Sequence, residues 1–138
     1  MPEPLVLLPG MMCDARLFLP HIEAISAERP ICTFPLRGPD TMAGLADVVL
    51  KAAPPTFALA GLSMGGIVAM EIIRQAPERV TRMALLDTNA LSDPPENVSI
   101  RQAQVAKARQ GQLANVMQEE MKPNYLADGP DRTRILNL

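Results

Sequence analysis

Four short apolar runs punctuate the first ninety positions: Leu5-Val6-Leu7-Leu8, Ile31-Cys32-Thr33-Phe34, Phe57-Ala58-Leu59-Ala60 and Met83-Ala84-Leu85-Leu86. None alternates polar with apolar residues. Unbroken apolarity over about four to six residues suits strands covered on both faces, as in a parallel sheet. The stretches between them are long enough for crossover helices. Asp14 to Ala27 places Leu17, Ile22 and Ile25 broadly on one side, with Asp14 as a plausible N-cap. Thr41 is placed to cap a second helix carrying Leu45, Val48, Val49 and Ala52. A third, Met64 to Gln75, is apolar nearly all round and is expected to be buried. Strands alternating with helices predict βαβ units, and hence an α/β chain with a doubly wound parallel sheet.

The pattern changes after Asp87. Ser92-Asp93-Pro94-Pro95 is a break, and the sequence beyond it is helical and more polar. One helix is expected from Glu96 to about Gln110, interrupted near Gly111. A second carries Leu113, Val116, Met117 and Met121 and is expected to stop at Pro123. Pro130 to Leu138 reads as the start of another, with Ile135 and Leu138 spaced i, i+3 and no C-cap signal. The expected organisation is a core over 1–92 and a helical region over 93–138, cut inside an apolar helical pattern.

Composition narrows the function. At 138 residues the chain can bury a core, and its net charge of −2 leaves no electrostatic footprint for nucleic acid or an acidic membrane. Aromatic residues make up 3% and there is no Trp, which disfavours base stacking. The start, Met1-Pro2-Glu3-Pro4, lacks the basic region of a signal peptide, and no run is long enough to span a bilayer. Cys13 and Cys32 fall at opposite ends of neighbouring strands, too far apart for a disulfide. Two reduced thiols in a cytoplasmic protein is the expectation. There is no metal-ligand cluster and no phosphate loop, so neither metal nor cofactor is expected.

One motif carries chemistry. Gly61-Leu62-Ser63-Met64-Gly65 fits G-x-S-x-G, a pattern that chance supplies in about one chain in twenty of this length. Its setting is more specific: an apolar strand leads into it and a strongly helical segment leads out, which is the context of a nucleophile elbow. A serine presented on a strained turn needs neighbours without Cβ atoms, the role expected of Gly61 and Gly65. The helix that follows would point free N–H groups at a developing oxyanion. The plainer alternative is a serine capping a helix in a glycine-rich turn.

Upstream, Leu5 to Leu8 runs into Pro9-Gly10-Met11-Met12, a strand followed by a tight turn. With this loop, the chain resembles the α/β-hydrolase family, esterase-like branch. There a His-Gly-x loop stands where Pro9-Gly10-Met11 stands here. Leu36-Arg37-Gly38 is similar to the family's D-x-R-G-x-G loop, without its Asp and final Gly. Ala76-Pro77-Glu78-Arg79-Val80 followed by Met83 to Asp87 is similar to the family's exit from the elbow helix. The resemblance covers roughly residues 5 to 90. It implies Ser63 as nucleophile and the backbone N–H groups of Met11 and Met64 as the oxyanion hole, although core packing would equally explain both methionine side chains. It also implies a sheet in the order second, first, third, fourth strand, truncated after the fourth and followed by part of a helical lid.

In the family the triad runs Ser, then Asp or Glu, then His. His21, the one histidine, precedes the serine. Asp87, at the end of the fourth strand, is a candidate acid, with a plain strand-end carboxylate as the alternative. The acid and His are therefore expected beyond residue 138. The implied activity is hydrolysis of a small carboxylic ester or other acyl substrate through an acyl-enzyme on Ser63, with Met11, Met12, Leu17, Phe18 and Met64 around an apolar pocket mouth. The competing reading is a non-catalytic binding or assembly module. Either way the open sheet edge is expected to pair with the missing C-terminal half or with a second copy.

Overall fold

The computed structural model describes residues 1–137. They form two compact units, the first Met1–Leu91 and the second beginning at Ser92. In the first unit four parallel strands, β1 (Leu5–Leu8), β2 (Ile31–Thr33), β3 (Phe57–Leu62) and β4 (Val80–Leu86), stand in the order β2-β1-β3-β4. β1 pairs Leu8 with Gly61 of β3, and β3 pairs Leu62 with Leu86 of β4. The C-terminal ends of the three strands therefore share one edge, where an open parallel sheet presents its ligand crevice. Helices α1 (Leu19–Ile25), α2 (Met42–Ala52) and α3 (Met64–Gln75) make the crossovers.

Period-two alternation within the apolar runs divides their side chains between the two faces of the sheet. Val6, Leu8, Phe57 and Leu59 pack with Leu45, Ala46 and Val49 of α2 and with Val68, Ala69 and Ile72 of α3. Leu7 and Ala60 face the other way, onto Phe18 and Ile22 at α1. A strand buried on both sides cannot afford a polar position, which is why β1 and β3 read as unbroken apolar runs.

The same reasoning fails for β4. Met83 to Leu86 are as apolar as the other runs, yet every residue from Thr81 to Leu86 is exposed, Leu86 to 44%. β4 is the outer strand, with β3 along one side only. α3 is also less buried than its composition suggests: Ile67 is 39% exposed, and burial concentrates on Gly65, Gly66, Val68, Ala69 and Ile72.

Local capping follows the sequence closely. Thr41 accepts the N–H of Gly44 and starts α2. Asp14 accepts the N–H of Arg16, but it caps a 3-10 turn over Ala15–Phe18, and α1 begins only at Leu19. Among the described residues no helix is long and apolar enough to cross a membrane.

In the second unit α4 (Pro95–Lys107) gives way to a wide turn over Ala108–Gln112, where Gly111 sits at φ 81°. Helical turns resume through Leu113–Met121 and then, contrary to expectation, pass Pro123. That proline lies in the first turn of a new short helix, Lys122–Tyr125, where no intrahelical donor is needed. A last helix covers Arg132–Leu136; the Ile135–Leu138 pairing expected there falls partly outside the described residues.

Arg79 ties the first unit together. Its guanidinium donates to the carbonyls of Leu50, Ala53, Pro54 and Pro55, satisfying orphan acceptors where α2 ends, and lies 5.7 Å from the centre of the Phe57 ring. Hydrogen bonds from a charged donor are worth about 1.5–3 kcal/mol each in net terms, and these are not additive. Arg79→Ala is expected to lower stability by roughly 2–3 kcal/mol in urea unfolding. Arg79→Lys should restore little, because an ammonium cannot span a fan of carbonyls.

Candidate active site

β3 ends at Leu62, and α3 opens at Met64. The single residue between them, Ser63, adopts φ 53° and ψ −117°. Few non-glycine residues occupy positive φ, and such a position costs about 1–3 kcal/mol unless the surroundings enforce it. The surroundings here are backbone. A Cβ on Gly61 would stand 2.3 Å from the carbonyl oxygen of Gly65, and one on Gly65 would stand 2.2 Å from that of Leu8. The end of β3, the first turn of α3 and the end of β1 thus meet main chain against main chain.

This geometry excludes the capping reading of Ser63. A capping serine has extended backbone and a side chain that accepts a helix N–H. Ser63 has neither, and its side chain makes no cap hydrogen bond. The residue is exposed at the strand end. Its own backbone is fully engaged: the N–H donates to the Leu86 carbonyl at 2.9 Å, while the carbonyl accepts from Gly66 N–H at 2.9 Å, from Ile67 N–H at 3.3 Å and from the Thr88 hydroxyl at 2.7 Å.

The loop after β1 passes beside this turn. A Cβ on Gly10 would lie 3.6 Å from Ser63 Cβ, so the chain from Pro9 to Met11 runs along the serine. Met12 takes φ 61°, and the Cys13 N–H closes the turn on the Gly10 carbonyl at 3.1 Å. Met11 follows Gly10 directly, and Met64 opens α3, where an N–H has no partner inside the helix. The structure therefore brings Ser63, Gly10, Gly61 and Gly65 together, with Met11 and Met64 as immediate chain neighbours.

Other expected residues fall elsewhere or take other roles. Phe18 is 3% exposed and packs on Leu7 and Ala60, so it belongs to the core and not to a pocket mouth. Leu17, which periodicity placed on a helix face with Ile22 and Ile25, lies instead within the 3-10 turn over Ala15–Phe18. Met12 is 64% and Leu17 38% exposed. His21 is on α1, its ring edge-on to Phe18 with centroids 6.3 Å apart. Asp87 is exposed just past β4 at φ 42°, a third non-glycine residue at positive φ after Met12 and Ser63. Thr88 has no signature of its own in the sequence. Its one trace is the third glycine, Gly66, where a Cβ would stand 2.6 Å from Thr88 Oγ1.

The carboxyls of Asp14, Glu71 and Glu120 are held below their ordinary range. The Arg16 side chain, hydrogen-bonded to Asp14, holds that carboxyl down at about 2, helped by the Arg16 N–H. Arg74 and Gln75 do the same for Glu71, again at about 2. In the second unit the Lys107 ammonium lowers Glu120, on the wall of a groove also lined by Arg101, Gln104 and Tyr125. Among the described residues no group of three His, Cys, Asp or Glu side chains could hold a metal ion.

Solved structures similar to this chain agree on the fold. No family model matches the chain. Over 66 residues, 47% of this chain and 26% of the relative, it is 35% identical to a pimeloyl-[acyl-carrier protein] methyl ester esterase of Aromatoleum aromaticum. A thermophilic esterase from Thermogutta terrifontis superposes with a TM-score of 0.60 and 25% identity, over 87% of this chain and 46% of that one. A hydrolase from Pseudomonas aeruginosa PA01 does so with a TM-score of 0.67 and 21% identity, over 98% and 57%. The chain has the α/β-hydrolase fold, and it spans about half the length of these solved structures.

Two expectations follow from the geometry. Gly61→Ala and Gly65→Ala each put a methyl against immovable backbone, so neither variant should give a folded chain by circular dichroism. Gly129→Ala, with open space around its Cβ, should fold normally. The Asp14 pKa lies below the ordinary carboxylate value, so its hold on the turn is present above about pH 4 and is lost as pH falls through about 2. The pair is exposed and the effect local. Carboxylate NMR titration should show a midpoint near 2, returning to the ordinary range in Arg16→Ala.

Proposed function

We propose that this chain, folded as an α/β-hydrolase, presents Ser63 as the nucleophile of a cofactor-independent esterase. The observation that carries the reading is the conformation of Ser63: a non-glycine residue at φ 53° that does not cap the helix it precedes. A serine in that position contributes nothing to folding that a glycine would not contribute better. Its strained backbone serves to hold the hydroxyl out at the strand end.

In the proposed reaction Ser63 Oγ attacks the acyl carbon of an ester. The carbonyl oxygen, now an oxyanion, is held by the N–H groups of Met11 and Met64. The serine proton passes to an imidazole, which returns it to the departing alcohol, and water then releases the acyl group. We assign that imidazole, and the acid that orients it, to polypeptide outside these 138 residues. His21, on α1 against Phe18, is not the base in this reading, and Asp87 stands as the lesser candidate acid, one residue past Leu86, whose carbonyl accepts the Ser63 N–H. The names of the esterase relatives favour a carboxylic ester among the acyl compounds this scaffold can cleave. The exposed apolar edge of β4 supports pairing with a further strand, from a longer chain or from a second copy.

The test is covalent labelling. In a protein that carries the missing base, a fluorophosphonate should modify Ser63, and Ser63→Ala should abolish labelling and reduce turnover of a short p-nitrophenyl ester by about 10⁴-fold or more. The 138-residue chain by itself should show no turnover through Ser63. Unchanged hydrolysis by Ser63→Ala overturns the assignment.

A further inference from the structure

Leu86 and Thr88 hold the two peptide groups that flank Ser63, one through its N–H and the other through its carbonyl. The Leu86 carbonyl accepts the Ser63 N–H at 2.9 Å, and the Thr88 hydroxyl donates to the Ser63 carbonyl at 2.7 Å. In a strand that ran on extended, residues 86 and 88 would lie about 6.6 Å apart along one line. The left-handed turn at Asp87, φ 42°, ends that run, and the Thr88 hydroxyl reaches the serine's carbonyl. Room for it comes from α3: a Cβ on Gly66 would meet Thr88 Oγ1 at 2.6 Å and both Thr88 carbons, Cβ and Cγ2, at 2.7 Å. Gly61 and Gly65 clear space for backbone, whereas Gly66 clears it for one side chain.

We infer that Thr88 is a positioning residue for the nucleophile, a role that rests on the esterase reading above. The Ser63 carbonyl takes three donors, and two of them, Gly66 N–H and Ile67 N–H, belong to the helix that follows. They orient the peptide after the serine relative to α3 alone. The Thr88 hydroxyl is the donor that ties it to β4, and so to the sheet. A peptide at positive φ relaxes when its restraints are loosened. Relaxation here would swing both Oγ and the neighbouring Met64 N–H. Threonine suits the task because its methyl fills the slot over Gly66 and its branched Cβ limits the hydroxyl to few rotamers.

The experiment compares Thr88→Val, which keeps the shape and removes the donor, with Thr88→Ser, which keeps the donor. Amide hydrogen exchange at Ser63, Gly66 and Ile67 in the 138-residue chain reads the restraint without any catalysis. The rate of Ser63 acylation by a fluorophosphonate, in the protein that carries the base, reads its consequence. Thr88→Val is expected to speed exchange at these amides and to slow acylation, each by roughly five-fold, the effect one neutral hydrogen bond commands. Thr88→Ser should restore both. Unmodified protein that is never acylated would sink the esterase reading, while the exchange measurement still decides what Thr88 does. Wild-type exchange and acylation in Thr88→Val would overturn the inference. So would uniformly faster exchange across the whole sheet that Thr88→Ser leaves uncorrected.

Discussion

The first unit depends on one close approach. The ends of β1 and β3 and the start of α3 meet without side chains between them, at Gly61, Gly65 and the Leu8 carbonyl. A single added methyl there would sit 2.2–2.3 Å from a carbonyl oxygen, a distance no rotamer change can relieve. From that contact the rest follows. β3 must turn into α3 through one residue, so that residue takes a left-handed conformation. The loop after β1 is drawn alongside, which places Gly10 against Ser63.

Much of this could be read from the chain because the determinants are local. Apolar runs mark β1 and β3, where both faces are covered, and Thr41 marks the start of α2 through one hydrogen bond to Gly44. The limits of α3, Met64 and Gln75, follow from the glycine motif before it and Pro77 after it. The failures share a cause as well. Residues Met83 to Leu86 by themselves carry no information on whether a neighbour covers them, so the apolar run alone does not show the exposure of β4; only the strand order implied by the family resemblance puts it at an open edge. Pro123 breaks a helix or begins one according to the kink before it, and Met121 at φ −103° settles that only in three dimensions. Thr88 comes from 25 residues away and shows in the sequence only as a third glycine beside the motif.

Arg79 and Thr88 illustrate how a parallel sheet fastens its crossovers. Parallel neighbours are joined by long connections, so the helix ends are far from their partners in sequence. Each of the two residues sends one polar side chain from an end of β4 to the main chain of an earlier element: Arg79 to the last carbonyls around α2, Thr88 to the carbonyl before α3. The outermost strand therefore secures the elbow even though its own side chains are half open to solvent.

The conformation of Ser63 also sets a direction for mutational drift. At φ 53° any side chain carries a conformational penalty that glycine escapes, so Ser63→Gly would leave the unit easier to fold. Mutations that raise stability by giving up a strained functional residue are accessible to most proteins and are held back only by loss of activity. A chain retained merely as a scaffold would sit on a downhill path from serine to glycine at this position. Ser63 stands uphill of that path.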